Sequence, residues 1–73
     1  PSEFIITLSN KNHPGMIGKI TTVLAENKLN IIDMVNKSRG DIAYNVIDLE
    51  TKPPEKVLVE LLALDDVISV REV

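Results

Sequence analysis

The sequence predicts a small α+β domain whose elements follow the order βαββαβ. Three observations support this prediction. Segments with the two-residue apolar alternation of strands are interspersed with segments that have apolar residues at helical spacing. Breaks rich in Pro, Gly, Asn and Asp separate these segments. Apolar residues make up 44% of the 73 residues, which is enough for a core, so residues 1–73 are interpreted as a single domain.

The first strand is predicted over Glu3–Ser9, because Phe4, Ile6 and Leu8 share one face of it, with Ile5, Thr7 and Ser9 on the other. A polar loop is expected over Asn10–Pro14, where the asparagine side chains favour turns by bonding nearby backbone groups. Since this strand begins within three residues of Pro1, we expect the domain to be part of a longer chain.

The first helix is predicted from Pro14-Gly15 to about Lys28, since proline is tolerated in the first turn of a helix. Its apolar face is expected to consist of Ile17, Ile20, Val23 and Leu24. Gly18 lies inside this helix at a cost of up to ~1 kcal/mol against alanine. Two explanations remain open: the helix packs closely on the sheet, or another chain or a ligand approaches the backbone there.

The second and third strands are predicted over Asn30–Ser38 and Asp41–Glu50, joined by a tight turn in which Gly40 can take a positive φ. Alternation in the second strand is imperfect, because Ile31 and Met34 are three residues apart, and either a bulge or burial on both faces of the strand would explain this. The inward face of the third strand is expected to carry Ala43, Asn45, Ile47 and Leu49.

The second helix is predicted from about Pro54 to Leu64, with an apolar stripe of Val57, Leu58, Leu61 and Leu64. The Asp65-Asp66 pair indicates a turn before the fourth strand. That strand is predicted over Val67–Val73, and Ile68 and Val70 are expected to face inward.

Two right-handed βαβ crossovers place both helices on one face of a four-stranded antiparallel sheet, which is the ferredoxin-like sandwich. The second strand is expected at an edge of this sheet and has few charges between Asn30 and Asn36, so it favours pairing with another strand. A chain of this length buries only about 60% of its unfolded surface, which also favours self-association.

Composition argues against several functions. The chain has no Cys and a single histidine, His13, so neither a thiol nucleophile nor a histidine-based metal site within one chain is expected. A net charge of −3 with one Tyr, one Phe and no Trp argues against nucleic acids and anionic membranes as partners. No apolar run approaches the ~18 residues of a membrane span, and we expect a cytoplasmic protein. No catalytic triad or phosphate-binding glycine loop is recognisable, so this domain is not expected to be an enzyme.

A small polar set nevertheless indicates a binding site. Asn10 and Asn12 precede the first helix, whose free N–H groups at about Gly15, Met16 and Ile17 suit a carboxylate. Asn30 follows that helix at its other end, about 20 Å away. Two chains packed antiparallel through helix 15–28 and strand 30–38 would bring these groups together around a zwitterion such as a free amino acid. The alternative is that the asparagines serve only as cap and turn residues.

Residues 10–20 and 24–31, with Ala43–Glu50 and Val67–Arg71, resemble the ACT domain, and most closely the C-terminal regulatory ACT domain of D-3-phosphoglycerate dehydrogenases. The resemblance implies side-by-side pairing into an eight-stranded sheet, with L-serine bound at the interface as a feedback inhibitor. It also implies no cofactor in this domain and NAD in the catalytic part of the parent enzyme. The implied effector-binding residues are Asn10, Asn12, Gly15, Met16, Ile17, Asn30 and Ile31.

One position departs from the pattern of this family. Asn10 stands where the best-known members have a histidine that meets the effector's carboxylate, so another amino acid is an open alternative to serine. Two further alternatives are an ACT module of a different amino-acid-metabolism enzyme and a dimerisation module without a ligand. An acylphosphatase-like enzyme on this fold would need an arginine in the first loop, which carries Lys11 instead.

Overall fold

The computed structural model describes residues 4–73 and confirms the βαββαβ order and the ferredoxin-like sandwich. The sheet is antiparallel, and its strands lie in the order β2-β3-β1-β4. Glu3, the expected first residue of the first strand, lies outside the described residues. The elements are β1 (Phe4–Lys11), α1 (Met16–Glu26), β2 (Ile31–Arg39), β3 (Ile42–Leu49), α2 (Glu55–Ala63) and β4 (Val67–Glu72).

The core lies between the helices and one face of the sheet. Strands β1 and β3 contribute alternating residues, as the alternation predicted, and each helix contributes one stripe. In the second helix only Val57 and Leu61 of the predicted stripe are fully buried, while Leu58 and Leu64 are partly buried. Fully buried members of this core are Ile6, Leu8, Ile20, Leu24, Ile47, Leu49, Val57 and Leu61.

Helix α1 differs from the prediction at its start. Gly15 is the N-cap with φ 85°, so the chain turns at Pro14-Gly15 and the helix begins only at Met16. As a result Met16 faces the core with 3% of its surface exposed, whereas Ile17, predicted to be buried, is 47% exposed. Of the two explanations left open for Gly18, close packing on the sheet does not apply, because no described atom outside the adjacent residues and the helix's own backbone lies within 4 Å of where a Cβ would stand.

The end of β1 and the start of β4 also differ from the prediction. Strand β1 continues to Lys11, which pairs with Ile42, so Asn10 lies in a strand and not in a loop. The β1–β4 register shifts between Ser9 and Asn10, where Asn10 pairs with Val67. This shift turns Ile68 to the solvent side, so the expected inward orientation of Ile68 was wrong, and Val67 packs on the core with Val70 instead.

Strand β2 is an edge strand, as predicted, and its register with β3 shifts between Ile31 and Asp33, so of the two explanations for its imperfect alternation the bulge is the one observed. The β2–β3 turn is the predicted one, with Gly40 at φ 63°. Within residues 4–73, no helix is long and apolar enough to cross a membrane.

Candidate functional site

A cleft of about 230 Å³ opens beside the start of α1. It includes five of the seven predicted site residues, Asn10, Asn12, Gly15, Met16 and Ile17, and leaves out Asn30 and Ile31. Its size suits a small metabolite better than a drug-sized ligand. Five further lining residues were not predicted: His13, Pro14, Gly18, Asn36 and Ala43.

The helix start in this cleft has backbone donors without side-chain partners. Gly15 caps α1 without a side-chain hydrogen bond, and the first turn contains no acidic residue. The first N–H groups of a helix have no partner within it, so those of Met16, Ile17 and Gly18 are left for solvent or a ligand. The N–H of the N-cap Gly15 likewise has no partner within the helix, so the predicted donors Gly15, Met16 and Ile17 are joined by Gly18.

Asn12 lies in the loop between β1 and α1, which is held against the β2–β3 turn. Its backbone N–H donates to the Asp41 carbonyl at 2.8 Å, and its side-chain Nδ2 donates to the Gly40 carbonyl at 3.3 Å. The Asn12 side chain is exposed, and its Oδ1 has no hydrogen-bond partner among residues 4–73. This oxygen is thus a free acceptor at the mouth of the cleft.

Both the oxygen and the nitrogen of the Asn10 side chain are hydrogen-bonded within the sheet, which the sequence did not indicate. It is 2% exposed, its Oδ1 accepts from Asn45 Nδ2 at 2.9 Å, and its own Nδ2 donates to the Lys11 carbonyl at 2.7 Å. Asn45 in turn accepts from Asn36 Nδ2 at 2.6 Å and donates to the Leu8 carbonyl at 3.3 Å. We call Asn36, Asn45 and Asn10 the amide chain; it crosses three strands and ends at the cleft.

The amide chain was missed at the sequence level, although one signal for it was present. Asn45 stands in the core-facing alternation of β3, between Ala43 and Ile47. A buried amide costs free energy unless its hydrogen bonds are made, so a polar residue at such a position indicates buried polar partners. The identity of those partners depends on the register between strands, which the sequence does not give.

His13 joins the cleft to the end of the second helix. Its Nδ1 lies 2.8 Å from Asp66 Oδ2, in the turn before β4. This hydrogen bond lowers the pKa of Asp66 below its ordinary value, and the positive charges of Lys11 and Lys19 act in the same direction. The single histidine therefore has a structural hydrogen-bonding role at the rim of the cleft.

Asn30 lies at the opposite end of α1, exposed to solvent, as the sequence argument expected for one chain. Its backbone carbonyl accepts from the Glu50 N–H at 3.0 Å, and its side chain has no hydrogen-bond partner among the described residues. Ile31 begins the edge strand and pairs with Leu49. A single chain therefore leaves Asn30 and Ile31 away from the cleft.

Comparison with known proteins identifies the family. The ACT domain description matches residues 4–66, which is most of the chain. The chain belongs to the ACT domain family. It is 31% identical over 62 residues to D-3-phosphoglycerate dehydrogenase of Haemophilus influenzae, covering 85% of this chain and 15% of that enzyme. The ACT domain thus spans a small part of its curated relative.

Solved structures agree with the ACT fold. The ACT domain of GTP pyrophosphokinase from Chlorobium tepidum superposes with a TM-score of 0.81 at 19% identity, over 96% of this chain and 95% of that one. The regulatory subunit of aspartate kinase from Thermus thermophilus gives a TM-score of 0.71 at 17% identity, over 96% of this chain and 50% of that one. At these identities the similarity concerns the fold alone.

Proposed function

We propose that this ACT domain is an amino-acid-sensing regulatory module that binds its effector between two copies of itself, and that the effector is L-serine. The observation that carries the proposal is the cleft at the start of α1, where unpartnered N–H groups lie beside the free Oδ1 of Asn12. The N–H groups suit the carboxylate of an amino acid, and the amide oxygen suits its ammonium or hydroxyl group.

A second copy would complete this site. Asn30 has a free side-chain amide but lies at the far end of α1, so only antiparallel packing of two α1 helices and two β2 strands brings it to the cleft of the other chain. Strand β2 has an unpaired outer edge, and Ile32 on it is an exposed apolar residue. An effector bound by both chains stabilises the pair by mass action.

The parent enzyme is proposed from the relative at 31% identity: a D-3-phosphoglycerate dehydrogenase, with NAD bound outside this domain. Serine would then favour one relative orientation of the attached catalytic domains, and a coupling of ~1–3 kcal/mol suffices for such regulation. The domain itself would carry out no reaction.

The proposal is tested by calorimetry of the domain with L-serine, D-serine, glycine and L-threonine. We expect binding of L-serine, with one binding site for each chain because a two-fold pair contains two equivalent clefts. Asn12→Ala and Asn30→Ala should each weaken binding by about tenfold or more, equivalent to one lost hydrogen bond to a charged group.

Asn27→Ala is the matched control for Asn30→Ala. Asn27 lies at the same end of α1, but its Nδ2 is bonded within the chain to the Val23 carbonyl at 2.8 Å and to Glu60 at 3.1 Å. Its loss should lower stability and leave the affinity unchanged. If the domain prefers another of these amino acids, serine is not the effector, but the proposed binding site remains. Dimers that bind none of these amino acids would favour the alternative of a dimerisation module without a ligand.

A further inference from the structure

The face of the sheet opposite the helices is uncovered in residues 4–73, and its centre is apolar. Val35, Tyr44 and Val46 are exposed there, and Val35 and Val46 are direct cross-strand partners. Beside them the hydroxyls of Ser9 and Ser69 are hydrogen-bonded to each other at 2.5 Å. We call this surface the open face. Apolar patches on an uncovered surface of this kind mark interaction sites.

The two ends of the open face on β2 and β3 carry opposite charges. At one end Asp33 and Asp48 are direct cross-strand partners, an arrangement of like charges that destabilises a sheet. At the other end β2 carries Lys37 and Arg39. Among the described residues, no ion pair involves any of these four side chains.

We propose that a second copy of the chain packs its open face on this one, about a two-fold axis that lies between the sheets and perpendicular to the strands. This operation lays β2 over β2 with reversed direction. The acidic end, Asp33 and Asp48, then faces the basic end of the other copy, and the apolar centres meet. The other in-plane axis, parallel to the strands, would place β2 over β4, where the aspartates would have only the single Arg71 nearby, level with Val46 and not with the aspartates.

The area of the open face indicates which assembly is stable. Strands ~4.8 Å apart and ~8 residues long give roughly 500 Å² for each copy, so two faces bury ~1,000 Å², below the usual ~1,200–2,000 Å² of a stable interface. Two chains paired through their β2 edges present twice that area. The stack is therefore a tetramer of two edge-paired dimers with closed two-fold symmetry, and this step rests on the pairing in the proposed function.

Sedimentation velocity of the wild-type chain and of Val46→Lys tests the stack. Val46 is on β3, one strand in from the β2 edge, so a lysine there disrupts the stack and spares edge pairing. We expect wild type to sediment as four chains of 8.1 kDa and Val46→Lys as two. Val59→Lys is the control, because Val59 is exposed on α2, on the opposite side of the molecule, and its change should leave the tetramer intact.

Charge exchange tests the axis. Asp48→Lys, on the inner strand β3, and Lys37→Glu should each form fewer tetramers alone, and an equimolar mixture should restore them, as read by native mass spectrometry. Tyr44→Glu gives a second disruption of the apolar centre if Val46→Lys does not fold.

Several outcomes would overturn the stack. A wild-type chain that forms dimers but no tetramers rules out the stack and leaves amino-acid binding intact. This outcome includes the case in which another domain or an unrelated protein covers the open face. Tetramers that persist in Val46→Lys and Tyr44→Glu also remove it. Monomers that bind no amino acid would remove the stack and the proposed function together.

Discussion

Asn45 is the residue on which the polar layer beneath the cleft depends. It is the only member of the amide chain with both neighbours as hydrogen-bond partners, and it also bonds the Leu8 carbonyl. The amide chain consists of neutral side chains, which supply donors and acceptors without the desolvation cost of a buried charge. Residue alternation placed Asn45 inside the core, but its partner Asn10 was predicted in a loop, since one asparagine in a strand end looks the same in sequence as one in a turn.

Asn45→Ala is expected to lower the free energy of unfolding by about 2–3 kcal/mol. The substitution leaves the buried Oδ1 of Asn10 without a donor, and each unsatisfied buried polar group costs ~1–3 kcal/mol. Urea denaturation at one fixed chain concentration measures the loss. Asn36→Ala is the control, and it should cost less than ~1 kcal/mol, because Asn36 is exposed and water can replace it. Equal losses for the two variants would contradict this account.

The His13–Asp66 pair gives a prediction about protonation. In the wild type, the bond from His13 lowers the pKa of Asp66, so this contribution to stability is present above the ordinary aspartate value near 3.9 and is lost as the pH falls through the lowered pKa. His13→Ala should raise the pKa of Asp66 toward the ordinary value, measured by carbon NMR of the carboxyl group. Lys19→Ala should have a smaller effect, because Lys19 is the weakest of the contributing charges. An unchanged Asp66 titration in His13→Ala would disprove the coupling.

At the scale of elements, the predictions were reliable for alternation and weak for positions where the backbone changes direction. The buried face of β3 followed from its alternation alone. Ile17 and Ile68 were misplaced, because a left-handed Gly15 and a register shift at Ser9 change which residues face the core. Both depend on φ values and strand pairing, which apolar spacing does not report. For the site, the residues at one end of α1 could be predicted from the sequence, but neither their hydrogen bonds nor the presence of Asn36 could be.

The end of α1 contains a strained residue. Lys28 has φ 59°, and the Leu29 N–H donates back to the Leu24 carbonyl at 3.0 Å, which is the pattern that usually has glycine in the left-handed position. The left-handed conformation costs an L-residue ~1–2 kcal/mol, and glycine avoids this cost. Part of the gain is offset, because glycine has more conformational entropy to lose from the unfolded state. Lys28→Gly should therefore raise the free energy of unfolding by about 0.5–1 kcal/mol in urea denaturation.

Lys19→Gly is the matched control for this substitution. Lys19 is also exposed, but it lies within α1, where glycine costs ~1 kcal/mol, so the same change should destabilise the domain. A loss of stability in both variants would mean that the left-handed turn after α1 is not strained by lysine.

At the scale of the whole molecule, residues 4–73 of a single chain leave apolar side chains uncovered on three of their surfaces. Ile32 lies on the β2 edge, Val46 on the open face, and Val59 and Leu62 on the outer side of α2. A 73-residue chain with a small core has little stability of its own, so covering any of these surfaces adds a large fraction of the total. The β2 edge combines an exposed apolar side chain with backbone groups that are unpaired among residues 4–73, so a second copy would cover both at once.

The proposed pairing through the β2 edge would make stability depend on chain concentration. If folding and pairing are coupled, a tenfold dilution should lower the free energy of unfolding by about 1.4 kcal/mol of dimer, measured as a shift of the urea midpoint. Ile32→Lys should remove this dependence, because a lysine on an edge strand opposes strand pairing. Val59→Lys should keep it, since Ile32 and Val59 are equally exposed, at 59% and 60%, and only Ile32 lies on the edge. A midpoint that does not move on dilution of the wild type would mean that the chain folds as a monomer, and the site shared by Asn12 and Asn30 would lose its basis.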